Sequence, residues 1–342
     1  MAKNIRAIMV GCGGMSGAWL GPLAGMDDIE IVALVDVVEK AARQRAEDFN
    51  IKDALIGTNL KSVLAQVDAD VVFDCSIPEA HTDVTVTALK AGCHVLGEKP
   101  MADSMANARR SVRAAEKADR IYAVIQNRRY DESMRRLRRM ISNKAVGPLT
   151  TVNCDFYIGA HFGGFRDHMQ HVLLLDMAIH TFDQARMLTG ADPVSVYCRE
   201  WNPAGSWYDH DASAIAIFEM SDGLVFTYRG SWCAEGLNTS WESDWRFIGT
   251  RGTITWDGYG SIRAQRPQRR AGLTSPPRDL AIPQMRKRDR IGGHTALIRE
   301  FVDSVRRGRK PETICTDNIK SLAMVFAAID SARKNRPVAV TW

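Results

Sequence analysis

The run Ile5-Arg6-Ala7-Ile8-Met9-Val10-Gly11-Cys12-Gly13-Gly14-Met15-Ser16-Gly17 restricts the fold of this chain more than any other stretch. A short apolar, β-prone run that breaks into glycines and then enters a helix is a strand-turn-helix unit. Its turn presents unpaired backbone N–H groups at the positive end of a helix dipole, which makes a seat for a phosphate. Gly11 permits the tight turn, and Gly13 lets the backbone approach a pyrophosphate. A small third position lets the helix pack close to the strand. That position is Ser16, with Gly17 one residue later, so the seat comprises Gly11, Gly13, Gly14 and Met15.

A glycine turn alone also opens helices that bind nothing, and its context separates the two cases. Ile31-Val32-Ala33-Leu34-Val35-Asp36 is a second buried-strand run, and it ends in an acid 19 residues after Gly17. A carboxylate there can bind the ribose hydroxyls of a dinucleotide. It repels a 2′-phosphate, and Val37, Val38 and Glu39 bring no cation. NAD is therefore favoured, with NADP left open by Lys40.

Strand and helix then alternate. Val38 to Phe49 reads as a charged helix, Asp70 to Cys75 as a buried strand, and Asp103 to Lys117 and Ile121 to Ile125 as the next helix and strand. Such alternation predicts a doubly wound parallel sheet. The rhythm changes after Asn127. Alternating runs at Leu149 to Tyr157, Val194 to Trp201, Ser213 to Met220, Leu224 to Cys233, Trp245 to Gly249 and Thr253 to Asp257 accompany one long helix, Leu173 to Leu188. This second pattern predicts an α/β domain with an open, mostly antiparallel sheet on a helix. At 342 residues the chain exceeds what one core usually supports. It divides into a Rossmann domain at 1–126 and a substrate-binding and self-association domain at 127–342, whose closing helices (294–334) can pack back on the first.

Composition narrows the function classes. No apolar run reaches the roughly 18 residues of a membrane span, and Met1-Ala2-Lys3-Asn4 leads into the first strand without a signal peptide. A cytoplasmic protein with no membrane partner is expected. The seven cysteines are scattered without C-x-x-C spacing, as buried reduced thiols would be. The net charge of +5 does not argue for nucleic acid. Residues 262–290 hold nine basic residues against two acidic without periodicity, which reads as a solvated excursion or an arm to a neighbouring subunit.

Several residues can carry chemistry. Ser76-Ile77-Pro78 turns out of the third strand run, on the edge where open parallel sheets bind ligands. His81 opens the helix that follows, as either a solvent-touching residue or a cofactor contact. Glu98-Lys99-Pro100 is delivered to the same edge, and the proline holds Lys99 extended. Asn127-Arg128-Arg129-Tyr130 leaves a strand at that edge too, where arginines are either solvated or hold an anion. On the long helix, Asp176, His180 and Asp183 stand at i, i+4 and i+7, on one stripe. A histidine flanked by acids suits a general base. A satisfied structural stripe competes with that reading, and so, more weakly, does a metal site drawing on His161, His168 or His171.

Taken together, the glycine loop, the proline turn before His81, Glu98-Lys99-Pro100, Asn127-Arg128-Arg129-Tyr130 and the Asp176…His180…Asp183 helix resemble the Gfo/Idh/MocA family of NAD(P)-dependent oxidoreductases over nearly the whole chain. The resemblance implies a Rossmann domain, a second domain whose open sheet makes homodimer or homotetramer contacts, and an interdomain pocket with Lys99, Asp176 and His180 around a sugar or cyclitol hydroxyl. It also implies a cis Lys99–Pro100 bond. Cofactor contacts are expected from Gly11, Gly13, Gly14, Met15, Asp36, Ser76, Ile77, Pro78, His81, Glu98, Lys99 and Asn127. Substrate contacts are expected from Lys99, Arg128, Arg166, His171, Asp176 and His180.

Two features depart from the family pattern: Ser16 replaces the usual third glycine, and Gln170-His171-Val172 replaces a glycine cluster. The expected chemistry is metal-free hydride exchange at a secondary alcohol, with His180 as base, Lys99 stabilising the alkoxide and Asp176 orienting the polyol. Trp201, Trp207, Tyr208, His210, Trp232 and Trp241 suggest an aromatic wall, although core packing explains such residues as well. The same motifs also serve an NAD-retaining glycosidase that oxidises transiently, and the glycine seat alone would serve a non-catalytic dinucleotide sensor.

Overall fold

The computed structural model describes residues 4–269, 273–285 and 292–342. Two compact units partition the chain: residues up to Asn127 with Gly292–Ile319, and Arg128–Ile291 with Lys320–Trp342.

The first unit alternates strand and helix: β1 (Ile5–Val10), α1 (Ser16–Ala24), β2 (Ile29–Val35), α2 (Glu39–Asp48), β3 (Leu55–Gly57), α3 (Leu60–Leu64), β4 (Val71–Asp74), α4 (Pro78–Lys90), β5 (His94–Gly97), α5 (Met105–Ala118) and β6 (Tyr122–Val124). The six strands are parallel in the order β3-β2-β1-β4-β5-β6. Ala7, Ile8, Met9, Leu34, Val71, Val72, Val95 and Leu96 are fully buried, as expected for strands covered on both faces. The order reverses between β1 and β4. The crevice beyond the carboxyl ends of those two strands is where such sheets bind ligands.

The second unit begins with α6 (Glu132–Ser142), capped by Asp131, and β7 (Leu149–Tyr157). A π turn at Leu173–Ala178 runs into α7 (Ile179–Thr189). Then come β8 (Pro193–Trp201), β9 (Ser213–Met220), β10 (Val225–Ser231), β11 (Asp244–Gly249), β12 (Gly252–Trp256), β13 (Ile262–Pro267) and β14 (Pro277–Asp279). Next, α8 (Gly293–Arg307) returns to the first unit. α9 (Cys315–Lys334) starts there and continues into the second, where β15 (Val338–Ala339) pairs with β8. The nine strands lie in the order β14-β13-β12-β11-β7-β10-β9-β8-β15. All pairs are antiparallel except β7 with β10. On β8 and β9 burial alternates residue by residue, so one sheet face packs and the other is open. Phe182 of α7 fills the packed face, edge-on to Phe218 at 4.9 Å and Tyr228 at 5.3 Å.

Two expectations need correction here. The basic stretch 262–290 is not wholly an unstructured arm, because β13 and β14 extend the sheet edge. Every residue of β14 is exposed, so no alternation of side chains marks it, and beside its backbone pairing Gln265 Nε2 donates to Asp279 Oδ1 at 2.8 Å. Residues 270–272 and 286–290 of that stretch lie outside the described ones. The long helix, for its part, is not uniform. The π turn ends before His180 and breaks the single stripe assumed for Asp176, His180 and Asp183.

Asp183 instead turns to structure. Its Oδ2 accepts from Arg129 Nε at 2.6 Å, and its Oδ1 accepts from Arg129 Nη2 at 2.5 Å and Ser321 Oγ at 2.7 Å. Both charged side chains are almost fully buried. Removing one partner of such a pair leaves the other charge desolvated and uncompensated. Asp183→Ala is therefore expected to destabilise the protein by about 3–5 kcal/mol in denaturant unfolding. A loss below about 1 kcal/mol would contradict this account of the pair.

Candidate active site

In the first unit the glycine turn is built by contact as well as by conformation. Gly11 has φ +82°, and a Cβ placed there would lie 2.4 Å from the Cys75 backbone. Only glycine lets the turn after β1 approach the turn after β4 so closely. Gly13 and Gly14 face open space, where added Cβ atoms meet nothing within 4 Å. Ser16 is fully buried, and its Oγ donates to the Gly13 carbonyl at 2.6 Å. The serine that replaces a third glycine thus ties the turn to the helix start. Arg45 of α2 clamps the same turn, donating to Cys12 O at 3.3 Å and Gly13 O at 3.1 Å. Nothing in its sequence spacing marks it.

Asp36 follows β2. Its Oδ2 accepts from Cys12 N and its Oδ1 from Val38 N, both at 2.8 Å. A carboxylate can accept about four hydrogen bonds, so capacity remains for ribose hydroxyls. An open glycine cradle at a helix start with an acid beside it fits a dinucleotide. The N–H groups of residues 13–15 suit the pyrophosphate, Asp36 suits the ribose, and the exposed side chains of Met15 and Ile77 flank the crevice.

His81 neither opens its helix nor touches solvent, as one reading of it expected. α4 starts at Pro78, which suits the first helical position. His81 therefore sits one turn inside the helix and is buried. Its Nδ1 lies 3.0 Å from Asp74 Oδ2 and 3.3 Å from Ser76 Oγ, while Ser76 Oγ donates to Asp74 Oδ1 at 2.6 Å. The ring supports the Ser76 turn from below. Glu98 is also buried rather than open to a ligand. It accepts from Trp19 Nε1 at 2.8 Å and from Lys99 N at 3.0 Å. Burial raises its pKa, but hydrogen bonds from His294 and Trp19 and the charge of Lys99 hold it below the usual carboxylate range.

His294 was not singled out from sequence. It stands 3.9 Å from Glu98 and 3.3 Å from the Asn127 amide, and it meets Trp19 edge-on. Its place just after Gly292-Gly293, opening a helix, is the one sequence signal that marks it. The Lys99–Pro100 bond is cis.

In the second unit, Arg166 Nε donates to Asp176 Oδ2 at 2.9 Å. His180, 9% exposed, projects from the first turn of α7. His171 has φ +54°. Its Nδ1 lies 2.7 Å from buried Glu200, and its Nε2 takes the Arg333 guanidinium at 3.0 Å. Burial lifts Glu200 above the usual carboxylate range against the opposing pull of His171.

Arg128 is not the open substrate contact expected. It donates to Trp241 O, reaches Met177 Sδ at 3.5 Å, and pairs with Glu242 at 3.5 Å. The aromatic wall is only partial. Trp232 and Tyr208 are core residues and Trp207 stacks on His161 at 3.7 Å, while Trp241 and Trp201 remain exposed.

Two outcomes follow. For His81, burial disfavours the imidazolium, and the Asp74 carboxylate outweighs it, so the folded pKa lies above the free value. That stabilisation is complete below the unfolded pKa of about 6.5 and fades as pH rises through the folded one. The loss of unfolding free energy in His81→Gln is expected to be larger at about pH 6 than at about pH 9, and the reverse order would refute the pairing. Asp36→Asn keeps one acceptor and removes the charge. It is expected to weaken NADH binding by about tenfold and to narrow the preference over NADPH, measured by cofactor fluorescence titration. An unchanged preference would remove Asp36 from cofactor selection.

Residues 5–126 match the oxidoreductase family with an NAD-binding Rossmann fold, and residues 134–255 match the GFO/IDH/MocA C-terminal domain. An uncharacterised protein of Sinorhizobium fredii is 30% identical over 98% of this chain and 95% of its own length. A myo-inositol 2-dehydrogenase of Thermotoga maritima is 24% identical over 98% of both chains. The fold is shared with an oxidoreductase from Agrobacterium radiobacter crystallised with NAD+, L-tartaric acid and magnesium. Its TM-score is 0.85 at 21% identity, covering 99% of each chain. The chain belongs to the Gfo/Idh/MocA family of oxidoreductases, and its first unit is that family's NAD-binding Rossmann fold.

Proposed function

We propose that this protein is an NAD-dependent dehydrogenase that oxidises a secondary alcohol of a sugar, a sugar derivative or a cyclitol. One observation carries the reading: Asp176 and His180 stand in a largely buried segment of a chain that aligns end to end with a myo-inositol 2-dehydrogenase. Bound NAD supplies the two-electron acceptor for the carbinol hydrogen. His180 takes the hydroxyl proton. The Lys99 ammonium donates to the same oxygen as its negative charge grows, and Asp176 accepts from a neighbouring hydroxyl and so fixes which carbon reacts. Each of these charges is more effective where water is excluded. Glu98, through its bond to the Lys99 backbone N–H, fixes the segment that presents the lysine.

The test is a screen of cyclitols, aldoses, glycosides and sugar acids with NAD and NADP, following absorbance of the reduced cofactor. On the substrate found, Lys99→Ala and His180→Ala are each expected to lower kcat by about 100- to 10,000-fold. Full activity in either variant would overturn its assignment. Release of a leaving group without net NADH would point to the glycosidase instead.

A further inference from the structure

Three arginines stand in or near the substrate motifs, and the structure separates them. Arg129 is locked on Asp183 in the core. Arg128 is held by Trp241 O and Glu242. Arg166 differs from both. It follows Gly163 and Gly164, both with φ +69°, and its side chain is 29% exposed. Its Nε and Nη2 face Asp176 at 2.9 and 3.5 Å, so Asp176 occupies the side-on edge of the guanidinium. The end-on edge is different: Nη1 has no hydrogen-bond or ion-pair partner among the described residues. The guanidinium also lies over Phe162 at 4.9 Å and Phe165 at 4.8 Å, and both rings are exposed.

Those contacts define what the free edge can take. Aromatic rings against a guanidinium restrict approach to its plane, and the Nη1/Nη2 fork matches the two oxygens of a carboxylate. A lone hydroxyl fills only half of such a fork. A phosphate fills it too, but its out-of-plane oxygens crowd the rings, and its second charge meets Asp176. A neutral polyol, moreover, leaves Arg166 competing with it for the lone pairs of Asp176.

We propose that the substrate carries a carboxylate, seated on the free edge of Arg166 beside the hydroxyl that Asp176 orients, so that the enzyme oxidises a sugar acid rather than a neutral sugar. This rests on the dehydrogenase reading above. In the reaction, the secondary alcohol loses its carbon-bound hydrogen with two electrons to NAD and its hydroxyl proton to His180. The carboxylate is unchanged and only anchors.

The test compares matched pairs, D-galacturonate with D-galactose, D-glucuronate with D-glucose and D-gluconate with D-glucitol, by NADH production and by calorimetric binding to the protein–NADH complex. In at least one pair the acid is expected to exceed its neutral partner by about 30-fold or more in kcat/KM, or in affinity. Arg166→Gln is expected to collapse that ratio towards unity, chiefly through KM, and Arg166→Lys to leave an intermediate ratio. An arginine that merely orients Asp176 would lower both members together and leave the ratio intact, which overturns the proposal. So does preference for the neutral member, or no acid bound more tightly than its neutral partner. Acid binding that depends on Arg166 without turnover would uphold the anchor and refute the dehydrogenase reading. Turnover confined to neutral members would do the opposite.

Discussion

The first unit depends on one close approach. At Gly11 the turn after β1 lies so near the Cys75–Ser76 backbone that no side chain fits between them. That contact joins the two strands at which the sheet order reverses, and it brings the glycine cradle and the Ser76 turn to one crevice. The rest of the local structure holds this arrangement in place. Ser16 fastens the cradle to α1, Arg45 fastens it to α2, and Asp74 with His81 stiffens the opposite turn. A single methyl at position 11 would collide with peptide atoms rather than with a flexible side-chain tip, so the unit has little means of relaxing around it.

The elements visible in the sequence are those whose signal is local. β-prone runs ending in glycine or an acid and the alternation of β8 and β9 are encoded within a few residues, and the structure reproduces them within a residue or two. What could not be read is long-range. Arg45 reaches the glycine turn from more than thirty positions away, His294 stands 167 residues from Asn127, and Ser321 lies 138 from Asp183. No periodicity announces such pairs. The π turn was invisible for a related reason. Asp176 and His180 keep the same sequence spacing whether or not the backbone takes up an extra residue per turn, so their stripe looked continuous with Asp183.

Polar residues called functional on spacing alone divide according to whether the fold leaves them any capacity. Arg129 and Asp183 pair in the core, where Asp183 also accepts from Ser321, and Arg128 is engaged by a carbonyl and a carboxylate. His81 and Glu98 act one layer below the surface, holding Ser76 and the backbone that carries Lys99. Composition could not separate these cases, because each is an ionisable residue and composition carries neither its burial nor its partners. Burial and partner count do separate them.

The same criterion gives Arg166 its meaning. An arginine whose guanidinium is fully engaged contributes rigidity, and one in open water contributes little beyond charge. Arg166 is intermediate: one edge is fixed by Asp176, the faces lie against Phe162 and Phe165, and one edge remains. Fixing the first edge sets the direction of the second, and the neighbouring rings narrow the directions from which a ligand can approach it. Such preorganisation costs nothing further when a ligand arrives. Because Asp176 is the shared partner, a group docked on Arg166 in the proposed reaction would be registered against the hydroxyl assigned to Asp176. Selection of the substrate and selection of the carbon to be oxidised would then be set by one ion pair.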